Sequence, residues 1–229
     1  MVPTLFVTAL ALLLLPATAI PAQDNRPEEE PIWLLAQHDL ADEEQRQDIS
    51  RIVAEDYLPV GIEQRGTTVW MLYYRSPDVS ISRWTIQEFE DLDSLDQDMS
   101  APMTEGWVPM DISRTENGLT VLYVETDDIT AEGWRIDISP LAVGTMQSTF
   151  SKWRREGFTP FGFSLSPLNE VWYLLIDQGD LPEQPEVFLN GYPRIMDQLR
   201  DAVNEDVTSG NLPWGLMVGE ETIYIQYLR

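Results

Sequence analysis

Apolar and polar positions alternate along three well-separated stretches of this chain. Val69, Met71 and Tyr73 share one face of an extended segment, Leu119, Val121 and Tyr123 share another, and Ile223, Ile225 and Tyr227 a third. A period of two marks a strand with one buried face. Each stretch follows a turn signal: Arg65-Gly66, Glu116-Asn117-Gly118 and Gly219-Glu220-Glu221. Asn-Gly between apolar runs is among the strongest short hairpin signals. The stretches therefore read as return strands of hairpins, and Ser166-Pro167-Leu168-Asn169 reads as the turn of a fourth.

Ahead of each hairpin the period changes to that of a helix. Met146, Phe150 and Trp153 follow one helical face, with Ser139-Pro140 as the expected N-cap and first position and Gly157 as the stop. Ile195, Leu199, Ala202 and Val203 form a second stripe, with Pro193 at its expected start and Gly210 at its end. Leu92, Leu95, Met99 and Met103 form a third, closed by Gly106, and Pro102 inside its last turn is expected to kink it or end it early. Ile49, Ile52 and Val53 form a fourth behind the acidic start Asp42-Glu43-Glu44-Gln45. A short strand carrying an aromatic residue precedes each helix: Trp33 in residues 32–35, Trp84 in 81–86, Trp134 in 134–138 and Phe188 in 187–189.

The junction between helix and hairpin recurs. Gly157-Phe158-Thr159-Pro160-Phe161-Gly162 has degenerate copies in Asp56-Tyr57-Leu58-Pro59-Val60-Gly61, Gly106-Trp107-Val108-Pro109-Met110-Asp111 and Gly210-Asn211-Leu212-Pro213-Trp214-Gly215. The expected fold is α+β: four tandem strand–helix–strand–strand repeats of about 50 residues, over 31–76, 80–128, 132–178 and 185–229. Tyr73, Tyr123 and Tyr227 stand at one fixed distance after their prolines, where the third copy has Leu174. Three strands and one helix are too little to stand alone, so the copies must share a core. They could pair into two halves, 31–128 and 132–229, which is the expectation, or close as a pseudo-symmetric ring. A ring of strand-and-helix modules is similar to the pentein propellers in element order. Those have five modules, and their amidine-modifying enzymes use a Cys, which this chain lacks.

The first 22 residues carry no charged side chain, are strongly apolar at 5–15 and end in small residues, with Asp24, Arg26 and Glu28 following. They read as a signal peptide cleaved near Ala22, ahead of a disordered acidic leader at 23–30, so the expected destination is the periplasm or the exterior. Pro3, Pro16 and Pro21 keep the apolar run too short for a stable membrane span. No Cys is present, so packing alone must hold an exported protein. The net charge of −25 argues against nucleic acid and anionic membranes as partners, because both need clustered Lys and Arg.

Candidate chemistry is sparse. The single histidine, His38, stands at a strand end and reads as a surface residue. Asp91, Asp93, Asp96 and Asp98 form the densest acidic cluster, but an EF-hand would need Gly and Glu where Asp96 and Pro102 stand, so it reads as a solvated helix face. Glu125, Asp127 and Asp128 read the same way, and no carboxylate pair is singled out for glycosidase chemistry. No cofactor motif is present. Of the eight tryptophans, Trp33, Trp84, Trp107 and Trp134 occupy repeat columns expected in the core, Trp153 lies on a helix stripe, and Trp172 falls in the column of Met71 and Val121. Trp70 and Trp214 remain as candidate ligand contacts. The expectation is an exported, acidic, non-enzymatic protein that binds an unidentified protein or small molecule or scaffolds the envelope. The alternatives are a secreted carboxylate-dependent hydrolase and a calcium-dependent adhesion module.

Overall fold

A computed structural model describes residues 32–229, apart from 77–78, 141–142, 167–169 and 180–184 and the side chains of 143–147. The expected signal peptide and leader, most of the fourth turn, parts of two linkers and the Met146 side chain lie outside the described residues. Strand β1 (Trp33–Asp39), helix α1 (Glu43–Ala54) and strands β2 (Tyr57–Arg65) and β3 (Thr68–Arg75) come first. Strand β4 (Arg83–Phe89), helices α2 (Leu92–Asp98) and α3 (Ser100–Thr104), and strands β5 (Trp107–Arg114) and β6 (Leu119–Glu125) follow. Then come β7 (Gly133–Pro140), α4 (Val143–Arg155), β8 (Phe158–Leu165) and β9 (Glu170–Asp177), and finally β10 (Val187–Pro193), α5 (Met196–Thr208), β11 (Leu212–Val218) and β12 (Thr222–Leu228). The fold is α+β, with four three-stranded antiparallel sheets ordered β1-β3-β2, β4-β6-β5, β7-β9-β8 and β10-β12-β11. In each sheet the outer and inner strands run parallel to one another, with the return strand between them. No helix among the described residues is long and apolar enough to cross a membrane.

The four prolines sit in corresponding places. Pro59 lies opposite Tyr73, Pro109 opposite Tyr123, Pro160 opposite Leu175 and Pro213 opposite Tyr227, and each inner strand shifts register just beyond its proline. Proline has no N–H to give to a ladder, so it is tolerated where a strand bulges and faces away from its neighbour. Four left-handed residues stop the preceding helices: Gly106, Gly157 and Gly210, and in the first sheet Asp56 at φ 67°. Aspartate is one of the few non-glycine residues that visit this region.

Several expectations need correction. The outer strands are longer than expected, because ladder bonds to the return strands carry them past their apolar centres. Ser139 and Pro140 therefore pair with Val171 and Glu170 as strand residues rather than capping α4, and Pro193 ends β10 rather than starting α5. The hairpin of the third sheet is one residue longer than that of the first. Leu175 rather than Leu174 thus faces the proline, and Trp172 lies opposite Ser164 as Trp70 lies opposite Glu63, so Trp172 belongs to the column of Trp70. Trp84, Trp107 and Trp134 are half-buried rather than core. Pro102 acts as expected: the second helix breaks at Met99, four residues before Met103, into α2 and α3. Asp91 caps α2 through a reciprocal pair of bonds with Ser94, which places it as a helix start.

The inner strands are buried on both faces, whereas the outer strands are half-exposed. One core cluster draws residues from all four sheets, among them Ile62, Leu122, Phe161 and Leu216, each at most 1% exposed. A second cluster joins Phe150 and Trp153 of α4 to Val187 of β10. Polar bonds cross between segments as well. Trp84 Nε1 donates to Ser50 Oγ of α1 at 3.3 Å, and Trp33 Nε1 donates to Asn204 Oδ1 of α5 at 2.7 Å.

Candidate functional site

The inner strands meet. β2 packs against β5 and β11, and β8 packs against the same two. Each inner strand spends one edge on its return strand. The other edge presents backbone N–H groups that need acceptors, since an orphaned buried donor costs about 1–3 kcal/mol. Side chains supply them. The fully buried Asp111 carboxylate accepts at Oδ2 from Ile62 N at 2.7 Å and Leu216 N at 3.2 Å, and at Oδ1 from Ile112 N at 2.7 Å and Phe163 N at 2.9 Å. These donors come from all four inner strands, each two residues past the position that follows its proline. Burial pushes the Asp111 carboxyl well above its ordinary value, and the four N–H bonds pull against that shift. All four lone-pair directions face donors, so the cradle suits the carboxylate, which only accepts, rather than the acid.

Asp111 fits because its counterpart in β8, Gly162, is small. Gly61, Gly162 and Gly215 occupy the same position in the other inner strands. A Cβ on Gly162 would stand 2.0 Å from Asp111 Oδ1, and one on Gly61 would stand 2.7 Å from the Leu216 Cβ. The next layer toward the hairpins again uses side chains as strand-to-strand acceptors. Gln64 N donates to Ser113 Oγ at 2.8 Å, and Arg114 N donates to Ser164 Oγ at 2.7 Å.

In that layer the first strand carries Glu63, which is 4% exposed. Its partners are distant: Ser164 Oγ at 3.4 Å and Arg65 Nε at 3.9 Å. Burial pushes the Glu63 carboxyl up to about 8, and Arg65 and the Ser164 hydroxyl oppose the shift. Glu63 lines a cavity of about 1010 Å³ bounded by the hairpin turns, with Gln64, Arg65, Glu88, Arg114 and Thr120 among its walls. Gln64 is fixed by Glu88 Oε1, which accepts its amide at 2.8 Å, and by Thr120 Oγ1, which donates to it at 2.7 Å. Arg65 donates to Val218 O, and Arg114 donates to Thr115 O and Gly118 O.

The residues singled out from sequence lie elsewhere. Trp70 is half-buried, with the Arg194 guanidinium 5.0 Å from its ring centroid. Trp214 is 6% exposed and packs edge-on against Phe161 with centroids 5.4 Å apart, so it presents no open indole face. The structure does not bring the two together in the cavity. His38 is corrected from surface to interior: it is 5% exposed, its Nε2 is 3.0 Å from the Tyr73 hydroxyl, and burial lowers its pKa. A second hollow, about 610 Å³, lies between α1 and the second sheet and is walled by Ser50, Trp84 and Trp107. Among the described residues no group of three or more His, Asp or Glu is disposed to hold a metal ion.

No protein-family model matches the chain, and no curated protein does.

Sequence reasoning passed over Asp111 and Glu63. The aligned junctions did hold a signal: Gly61, Asp111, Gly162 and Gly215 fill one column, and Asp111 is its only departure from glycine. Glu63 likewise stands in a column with Ser113, Ser164 and Met217.

Proposed function

We propose that the four segments are tandem repeats closed as a pseudo-symmetric ring, and that the protein is an exported, non-enzymatic binding protein whose ligand enters the cavity at the hairpin end. The observation that carries the ring is the Asp111 cradle, which takes one N–H from the corresponding place in each of four inner strands. A pairing into halves gives no reason for such a shared acceptor. The Trp33–Asn204 bond supports closure, since it links the first segment to the last. Export rests on the apolar, uncharged first 22 residues, which end in small residues.

Binding rests on the cavity. Asp111 and the glycines fill the centre on one side of the Glu63 layer, and the hairpin turns bound a hollow of about 1010 Å³ on the other. Pockets for small molecules have about this size, with a few placed polar groups. Glu63 is the one titratable side chain in its layer, whereas the two serines are committed to joining strands. A thermal-shift screen of chemically varied small molecules tests the reading. Compounds that raise the melting temperature of the wild type should lose that effect when the exposed turns carry Glu116→Trp and Glu220→Trp. Compounds that stabilise both proteins alike, or the absence of any stabilising compound, would refute binding in the cavity.

A further inference from the structure

Resting on that reading, we propose that the cavity receives a small organic cation, an alkylammonium or alkylguanidinium group, docked on the Glu63 carboxylate. The argument starts from what the architecture leaves unused. Ser113 and Ser164 each hold a short bond from a neighbouring strand's N–H, at 2.8 and 2.7 Å. Glu63 occupies the equivalent place, is nearly sealed from solvent, and among the described residues its carboxyl has polar partners only at 3.4 and 3.9 Å. A buried carboxyl without close donors either keeps its proton, as burial favours for Glu63 below about pH 8, or ionises where a cation pairs with it.

The surroundings select the sign of that partner. The two arginines on the cavity wall are turned to backbone carbonyls, Arg65 to Val218 and Arg114 to Thr115 and Gly118. The Arg114 guanidinium also lies 5.4 Å from the Trp172 ring centroid. The remaining charged lining is acidic: Glu88, Glu90, Glu116 and Glu220. An anionic guest would meet five carboxyl groups on the wall against two guanidinium groups that each already donate to backbone carbonyls. A metal ion would need several converging ligands, and no such group stands among the described residues. An ammonium or guanidinium group needs only one buried carboxylate and nearby acceptors, and its donors give charge-assisted bonds that Glu63 otherwise lacks.

The test is calorimetric titration of the full-length protein with agmatine, butylammonium and methylguanidinium at low ionic strength, with acetate and calcium chloride as controls. The expected result is one saturable cation site, weakened at least about tenfold by Glu63→Gln, as loss of a charge-assisted contact implies. The rim substitution Glu116→Gln should change affinity far less. Circular dichroism confirms that each variant is folded, and the near-isosteric amide keeps the Glu63 site filled. Unchanged binding in Glu63→Gln would overturn the proposal. So would equal weakening by Glu116→Gln, which would show only diffuse attraction to an acidic surface, or tighter binding of calcium than of the organic cations. If none of the three cations binds but neutral or anionic compounds are blocked by the tryptophan pair, the cavity stands and the cation class falls. If no compound is blocked, both fall.

Discussion

Replacing Asp111 tests the centre of the molecule most directly. Hydrogen bonds to an ionised acceptor are worth about 1.5–3 kcal/mol each, and a buried donor left without a partner costs about 1–3 kcal/mol. In Asp111→Asn one oxygen remains for two N–H groups, while the new amide turns its own hydrogens toward the other two. Two orphaned donors then imply a loss of roughly 2–6 kcal/mol. Asp111→Gly makes the column uniform and orphans all four donors: Ile62, Ile112, Phe163 and Leu216. Simple addition gives roughly 4–12 kcal/mol, close to the whole stability of about 5–15 kcal/mol for an ordinary domain. Urea unfolding followed by tryptophan fluorescence reads both values, provided the slope with denaturant is unchanged. The order wild type, Asp111→Asn, Asp111→Gly is the expected one. A glycine variant within about 1 kcal/mol of the wild type would refute the view that this carboxylate joins the four strands.

Three further predictions concern the Glu63 carboxyl, the central glycines and the tryptophans. Glu63 has a folded-state value of about 8 against 4.5 for the free side chain, so the unfolded chain loses its proton first as pH rises. Its contribution to stability is therefore fully present below pH 4.5 and is lost as pH rises through about 8. Glu63→Gln should accordingly be neutral at pH 4 and stabilising by roughly 3–5 kcal/mol at pH 9, and equal urea midpoints at the two pH values would contradict the burial argument. Gly162→Ala places a Cβ 2.0 Å from Asp111 Oδ1 and 2.5 Å from its Cα, so it should cost at least about 3 kcal/mol. Gly157→Ala, at φ 87° with open space around it, should cost only about 1–2 kcal/mol, and a reversed order in thermal melts would count against the packing of the centre. Trp153 is fully buried and donates to Asp137 Oδ2 at 2.8 Å, so Trp153→Ala should cost about 3–5 kcal/mol. The half-buried Trp134 should cost less when replaced by Ala, and equal losses in urea would show that exposure is a poor guide here.

What could be read from the sequence was whatever is local. The hairpin turns among the described residues, most positions of the helix stripes and the glycine stops at 106, 157 and 210 each depend on residues close together in the chain and are present, whereas Ile195, expected on a stripe, stands exposed at the N-cap of α5. The break at Pro102 follows from one missing N–H. Errors arose where a tertiary partner overrode a local preference. Ser139-Pro140 has the chemistry of a helix start, yet the ladder with Val171 and Glu170 carries β7 through it. His38 has the chemistry of a surface residue, yet the Tyr73 hydroxyl receives it inside. Trp214 remained as a candidate because no repeat column or helix stripe claimed it, yet it packs against Phe161 from another strand. The candidate site was hidden for the same reason. Glu63 and Ser164 lie 101 residues apart, and only the meeting of inner strands brings the Ser164 hydroxyl to the carboxyl that lines the cavity.

In the proposed ring of repeats, the departures from repetition carry more chemical meaning than the repetition itself. Four inner strands each bring one N–H to the same carboxylate. Glycine in all four places would leave those donors unanswered, and aspartate in all four would bury four carboxylates against one another. One aspartate among three glycines meets both demands, since two oxygens offer four lone pairs and Gly162 leaves room for them. The same reasoning applies one layer out, where two serines answer neighbouring N–H groups and no further short bond of that kind involves Glu63. A repeat under packing constraints alone would favour serine or an apolar residue there. A glutamate that takes only a long bond from Ser164 and lines a cavity is a cost to folding, and such costs are retained where a ligand offsets them.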